Sequence, residues 1–210
     1  MILAGGGILS SGAEKELLEL AEIIDCPVTT TLMGNGAYPQ NLPRFTGMVG
    51  MHGTKASNLG ITACDVLIAV GTRFSDRVIS DASKFARNAK IIHIDIDPAE
   101  ISKNIKAEID LTGDAKIILE KLKAYIEKSD HTEWMEDILK YKKDFPLIDR
   151  NDNVLNPEYI MKTIEEKTAG DAVIVTEVGQ NQMWASQFYT YTKPNTFISS
   201  GGLGTMGFGT

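Results

Sequence analysis

Val66-Leu67-Ile68-Ala69-Val70-Gly71-Thr72-Arg73 is an unbroken apolar run that ends on glycine and two polar residues. A strand with one wet face alternates polar and apolar side chains; this run does not, so it reads as a strand buried on both faces. Three other stretches share the pattern. Ile2-Leu3-Ala4 runs into Gly5-Gly6-Gly7, the β-branched Val28-Thr29-Thr30-Thr31-Leu32 runs into Met33-Gly34, and Lys90 to Ile96 runs into Asp97. Between them lie helical patterns. Leu17, Leu20, Ala21 and Ile24 recur at helical spacing behind a Ser11/Glu14 capping-box signature, and Pro27 ends that helix. Further helices are predicted over Lys55 to Cys64, Ser83 to Asn88, from Pro98, and over Asp114 to Lys128, with a long loop from Met33 to Gly53.

This alternation predicts an α/β fold: a doubly wound parallel sheet, Rossmann-like, over residues 1–128. In such sheets ligands bind outside the carboxyl ends of the strands. All four ends carry glycine or polar residues. Residues 129–153 change in character, with a charged helix over His131 to Phe145 and a polar connector over Pro146 to Val154, which marks a domain boundary. A second α/β domain is expected from 154 to 210. Asn156-Pro157 caps a helix reaching Thr168, Ala172 to Thr176 reads as a buried strand, Gln180 to Phe188 as a helix and Phe197-Ile198-Ser199 as a strand.

The 210 residues carry a net charge of −7 with both signs mixed, which argues against a nucleic-acid surface. No apolar run approaches the ~18–20 residues of a membrane span. No basic segment precedes the first apolar stretch, so a signal peptide is not expected. Cys26 and Cys64 match no metal or redox spacing and read as small apolar residues in a reducing, cytoplasmic setting. Both ends read as cut, because a strand opens the chain without a partner element and a glycine-rich loop closes it.

Five local motifs are candidates for chemistry. Gly5-Gly6-Gly7 reads as a loop letting a ligand approach the backbone, or as a tight turn; it is not the G-x-G-x-x-G fingerprint. Gly50-Met51-His52-Gly53 places a histidine in a long loop, without the partner ligands a metal needs. Gly71-Thr72-Arg73-Phe74-Ser75-Asp76-Arg77 offers two arginines to a pyrophosphate, or a structural salt bridge through Asp76. Val178-Gly179-Gln180-Asn181-Gln182 joins a strand to a helix and reads as a phosphate-binding start or an ordinary turn. The terminal Ser200-Gly201-Gly202-Leu203-Gly204-Thr205-Met206-Gly207-Phe208-Gly209 is too patterned for a linker, since its apolar residues would be wasted in water. Ser10, Ser11 and Cys64 lack a neighbouring base, so no nucleophile is supported.

Gly71-Thr72-Arg73-Phe74 through Arg77-Val78 and Ile92-His93-Ile94-Asp95-Ile96-Asp97-Pro98 resemble the central domain of thiamine-diphosphate enzymes. With Gly50-Met51-His52-Gly53, Val178 to Trp184 and Ser200 to Gly207 in order, nearly the whole chain is similar to the large, catalytic subunit of acetohydroxyacid (acetolactate) synthase in its FAD-containing form.

That resemblance implies FAD across the sheet edge. Gly5, Gly6 and Gly7 would approach the flavin nucleotide, with Thr31, Leu32 and Met33 beside it. Gly50, Met51 and His52 would flank the isoalloxazine. Gly71, Thr72, Arg73, Arg77 and Val78 would meet the ribityl-pyrophosphate, and Asp95, Ile96, Asp114 and Ala115 the adenosine end. Gln182 and Met183 would reach toward the flavin from the second domain. Val178, Gly179, Gln180 and Asn181 would meet the phosphate end of thiamine diphosphate, with Gly204 and Met206 lining it; Asn181 departs from the histidine frequent there. The implied reaction decarboxylates pyruvate and joins the remaining two carbons to pyruvate or 2-ketobutyrate, in branched-chain amino-acid biosynthesis. No catalytic residue falls in this chain. The activating glutamate would precede Met1, and the magnesium-binding G-D-G…N segment would follow Thr210, so the isolated chain is expected to be inactive. A full-length homo-oligomer, with or without a regulatory small subunit, is implied. Glyoxylate carboligase, oxalyl-CoA decarboxylase and a non-catalytic nucleotide-binding module are the alternatives.

Overall fold

The computed structural model describes residues 1–147 and 155–209. The first strand, β1 (Ile2–Ala4), leads through Gly5 into α1 (Gly6–Ser11) and α2 (Glu14–Ile23). Then come β2 (Val28–Thr30), a 3-10 turn over Leu32–Gly34, β3 (Phe45–Met48), α3 (Lys55–Ala63) and β4 (Val66–Val70). A four-residue α4 (Asp76–Ile79), β5 (Lys90–Asp95), β6 (Ile109–Thr112) and α5 (Ala115–Lys123) complete the first unit, followed by α6 (Thr132–Asp144). After the connector come α7 (Pro157–Lys167), β7 (Ile174–Thr176), α8 (Gln180–Phe188) and β8 (Phe197–Ser199).

The first six strands form one parallel sheet in the order β3-β2-β1-β4-β5-β6. Burial on both faces follows from the strands' composition. Ile2 and Ala4 enter one core with Leu17, Leu20 and Leu119, while Leu3, Leu67 and Ala69 enter the opposite core with Ile61 and Ile91. Successive side chains point to opposite faces, so a strand that is apolar throughout needs helices on both sides. α1, α2 and α5 pack together on one side and α3 with α6 on the other. Gly60 of α3 gives α6 room: a Cβ there would sit 3.0 Å from Ile138 Cδ1. The strand order reverses between β1 and β4, and the carboxyl ends of these two strands diverge into a crevice.

Several local expectations are corrected. Ser11 ends α1 instead of capping α2; its hydroxyl donates to the Gly7 and Ile8 carbonyls, and Ala13 holds the N-cap position without a side-chain bond. The Met33–Gly53 loop contains β3, and β6 lies in a stretch not read as a strand. Neither Ser83–Asn88 nor the stretch from Pro98 is helical: both are turns, in which Ala86 and Ser102 take left-handed backbone angles that break a helix. α5 stops at Lys123, short of Lys128. β7 is half-exposed, with Val175 open on one face, because the second sheet of the described residues holds only β7 and β8. Leu203, Met206 and Phe208 are exposed, not buried. Positions 148–154 of the predicted connector lie outside the described residues.

Candidate functional site

The β1/β4 crevice is a cleft of about 630 Å³, within the roughly 300–1,000 Å³ typical of small-molecule sites. Fourteen of the predicted residues line it: Gly6, Gly7, Thr31, Leu32, Met33, Gly71, Thr72, Arg73, Arg77, Val78, Asp95, Ile96, Asp114 and Ala115. They come from the ends of β1, β2, β4, β5 and β6, as the carboxyl-edge rule requires. Gly5 lies behind the wall, its N–H donating to Val70 O at 2.9 Å.

The glycine run serves packing first. A Cβ on Gly5 would sit 2.1 Å from Gly71 O, and one on Gly7 2.5 Å from Gly71 Cα. The Gly7 N–H donates to Gly71 O at 3.0 Å. Two chain segments thus touch backbone to backbone at the floor of the cleft, which only glycines permit. Gly6 alone of the three turns toward Met33.

The loop after β4 is bound from below. The Thr72 carbonyl faces His93 Nε2 at 2.9 Å, and the carbonyls of Arg73 and Phe74 accept from Asn104 Nδ2 at 3.0 and 3.1 Å. His93 is fully buried on β5, its ring edge-on to Phe74 at 4.9 Å. Phe74 itself is buried with a left-handed φ of 49°. Arg73 and Arg77 are exposed at the mouth. The Asp76 pair anticipated for Arg77 exists at 4.0 Å, but both side chains are open to solvent, so it holds Arg77 weakly. Across the cleft, the Asp95 carboxylate accepts from Asp97 N, and that of Asp114 caps α5 through Ile117 N. Ile96 stands 71% exposed between them.

Gly50, Met51 and His52 do not line the cleft but border it: Met51 N donates to Arg77 O at 2.9 Å. The His52 carbonyl accepts from Gln187 Nε2 of α8 at 2.8 Å, tying the two sheets together. Gln182 is buried and donates to Ser199 Oγ, and a Cβ on Gly201 would meet Met33 Sδ at 2.7 Å. Gly201 therefore brings the terminal glycine loop to the cleft. Met183 is half-buried and does not line it.

Of the residues expected at the second cofactor, Gly179 and Gln180 open α8, both exposed, with Gly179 at a φ of +124° and empty space where its side chain would be. A Cβ on Gly204 would lie 3.9 Å from Val178 Cγ2, so the terminal loop returns to the end of β7. Gly207 N donates to Glu177 there. Met206 is exposed. Asn181 is separated from this group; it lines a small groove with Ile160, Met161 and Trp184 against α7. Burial pushes the Cys26 thiol up to about 11 and raises that of Cys64, so neither is a ready nucleophile. Sequence reading gave no binding role to His93, Asn104, Ser10, Glu100 or Gly201, although Ser10 was weighed as a nucleophile and Gly201 lay within the terminal motif. Ser10 could have been found, since it lies one helical turn beyond Gly6.

The family described as "Thiamine pyrophosphate enzyme, central domain" matches residues 1–122, and "Thiamine pyrophosphate enzyme, C-terminal TPP binding domain" matches 177–210. Over its whole length the chain is 51% identical to the "Probable acetolactate synthase large subunit" of Methanocaldococcus jannaschii, covering 37% of that protein. It is 45% identical to the "Acetolactate synthase large subunit" of Buchnera aphidicola and 43% identical to "Acetolactate synthase 1, chloroplastic" of Zea mays, covering 38% and 34% of them. The chain thus spans little more than a third of the length of these relatives.

Proposed function

The chain belongs to the thiamine pyrophosphate enzymes, and on that premise we propose that it is the flavin-binding part, with the start of the thiamine-diphosphate-binding part, of an acetolactate synthase large subunit. The carrying observation is the cleft at the β1/β4 reversal in a chain alike, along its whole length, to relatives bearing that name. The reading assigns residues 1–128 to the flavin domain, 129–153 to a linker and 154–210 to the second domain. The reaction assigned to the whole enzyme condenses two molecules of pyruvate, or pyruvate and 2-ketobutyrate, with loss of carbon dioxide, in the cytoplasm and for branched-chain amino-acid synthesis. Magnesium belongs to that assignment, with its ligands assigned beyond this stretch of sequence, as do a homo-oligomeric assembly and a regulatory small subunit.

The cleft fits FAD in its chemistry. Arg73 and Arg77 offer exposed guanidinium groups to a pyrophosphate. Asp95 has lone pairs for ribose hydroxyls, and Ile96 an apolar face for adenine. Met33 and Gly201 close the end where an isoalloxazine would lie, with Gly50, Met51 and His52 at its border. In the second site the open backbone at Gly179 and Gly204 leaves room for a diphosphate beside Val178 and Gln180. Bound there, thiamine diphosphate supplies the carbon nucleophile that a 2-keto acid needs in order to lose carbon dioxide. Met206, exposed on the terminal loop, would be the apolar side chain against which that group rests.

Titrating FAD into the purified chain and following flavin fluorescence tests the reading. Saturable quenching at micromolar FAD, displaced weakly by ADP, is expected. A chain that takes ADP and refuses FAD would instead resemble the ADP-binding decarboxylases of the same family.

A further inference from the structure

We propose that His93 and Asn104 are positioning residues that turn the carbonyls of the 72–74 segment away from the cleft, so that the segment presents its N–H groups to an anionic ligand. The inference rests on the reading of this cleft as a site for a pyrophosphate-bearing molecule. The described residues contain no cis peptide bond, and in a trans peptide the C=O of one residue and the N–H of the next point in opposite directions. Thr72 O is held by His93, which is fully buried and is not part of the cleft wall. The Arg73 N–H therefore points away from the core. Asn104, which does not line the cleft, holds two successive carbonyls, those of Arg73 and Phe74, and so turns the N–H groups of Phe74 and Ser75 away from itself. Gly71 O is occupied by Gly7 N in the same manner. Four consecutive acceptors that would repel a phosphate are thus all engaged elsewhere.

The identity of His93 supports this role. Its Nε2 must carry the proton to donate to Thr72 O, and its Nδ1 is buried in the core without a hydrogen-bond partner among the described residues. An unsatisfied buried nitrogen costs stability, and a phenylalanine would fill the space against Phe74 without that cost. What histidine adds is the single bond to the Thr72 carbonyl. The left-handed backbone of Phe74 fits the same account, since Asn104 bonds on both sides of it hold a conformation the residue does not favour.

The test compares the parent chain with His93→Phe, His93→Gln and Asn104→Ala, using FAD, riboflavin, ADP and inorganic pyrophosphate as probes. Losing one carbonyl anchor should weaken FAD, ADP and pyrophosphate binding by about fivefold or more. Riboflavin, which lacks the phosphates, should bind as to the parent. His93→Gln, whose amide reaches about as far as the imidazole, should recover most of the loss. Asn104 is exposed, so Asn104→Ala keeps the test alive should His93→Phe misfold. Unchanged FAD affinity in Asn104→Ala, or riboflavin affinity falling in step with FAD, overturns the proposal. A parent chain that takes ADP and pyrophosphate but not FAD overturns the flavin reading and leaves this inference standing, whereas a parent that takes none of the probes overturns both.

Discussion

Gly7 and Gly12 stand near the two ends of α1, yet the same substitution should act on them very differently. A Cβ at Gly7 meets the Gly71 backbone, which cannot swing aside as a side chain can. Gly7→Ala is expected to cost about 3 kcal/mol or more by urea unfolding, the upper range for overpacking. Gly12 has a left-handed φ of 61° and open space around it, so Gly12→Ala should cost only the backbone term, about 1 kcal/mol. The two thiols give a second check. With Cys26 and Cys64 both buried and their thiolates disfavoured, Ellman's reagent should find neither in the native chain and both after denaturation. At this scale the cleft was legible where glycine, arginine or aspartate ends an apolar strand. His93 was not, because a histidine among isoleucines carries no sequence sign of which carbonyl it will hold.

Helices with a side-chain cap declare themselves and the thin edge strands do not. Asp114 and Asn156 cap α5 and α7 through Ile117 N and Tyr159 N, and both starts were readable from residue type. Asp114→Ala should lower stability by about 1 kcal/mol and weaken FAD binding as well, a pair of effects that calorimetry separates. By contrast β3 has Gly47 inside it and a register shift against β2, and β6 alternates apolar and polar residues over four positions at the sheet edge. Neither carries the apolar run that marks a central strand. One junction between elements carries a pH dependence. Asp25, just past α2, accepts from the His131 N–H at the start of α6 and pairs with Arg44 ahead of β3. The His131 N–H, then Arg44, hold its carboxyl below the usual range. A lowered folded pKa stabilises the protein above the unfolded value of about 3.9 and is lost as pH falls through the folded pKa. Asp25→Asn should therefore cost about 1–2 kcal/mol at pH 7, and the gap to the parent should close as acid titrates the parent's carboxylate.

On the scale of the molecule, the two sheets meet through a small polar and apolar seam. Gln40 brackets Tyr191: its N–H donates to Tyr191 O, its side-chain oxygen accepts from Tyr191 N, and its amide reaches Asn35. Leu32 adds an apolar contact to the cluster of Tyr189, Tyr191 and Phe197. Gln40→Ala should speed hydrogen exchange at the Tyr191 amide while leaving the β1 and β4 amides protected. Equal loss across both sheets would mean the seam is not a separable unit. The parallel α/β architecture was readable from the central strands, since apolar strands alternating with helices admit few other arrangements; the seam was not, because it depends on which loops the folded sheet brings together.

The strand order carries a kinetic consequence. β1 sits at the centre of the sheet, paired at Ile2 with Val28 on one side and Ile68 on the other. No adjacent pair can form as a local hairpin, because every neighbour is parallel and reached only by a crossover. Such non-local pairing places refolding in the slow, roughly millisecond-to-second regime. Until β1 is enclosed, Val66–Val70 is an unsheltered run of aliphatic residues competing for other chains. Refolding yield should accordingly fall with protein concentration, and light scattering during dilution from urea would record it.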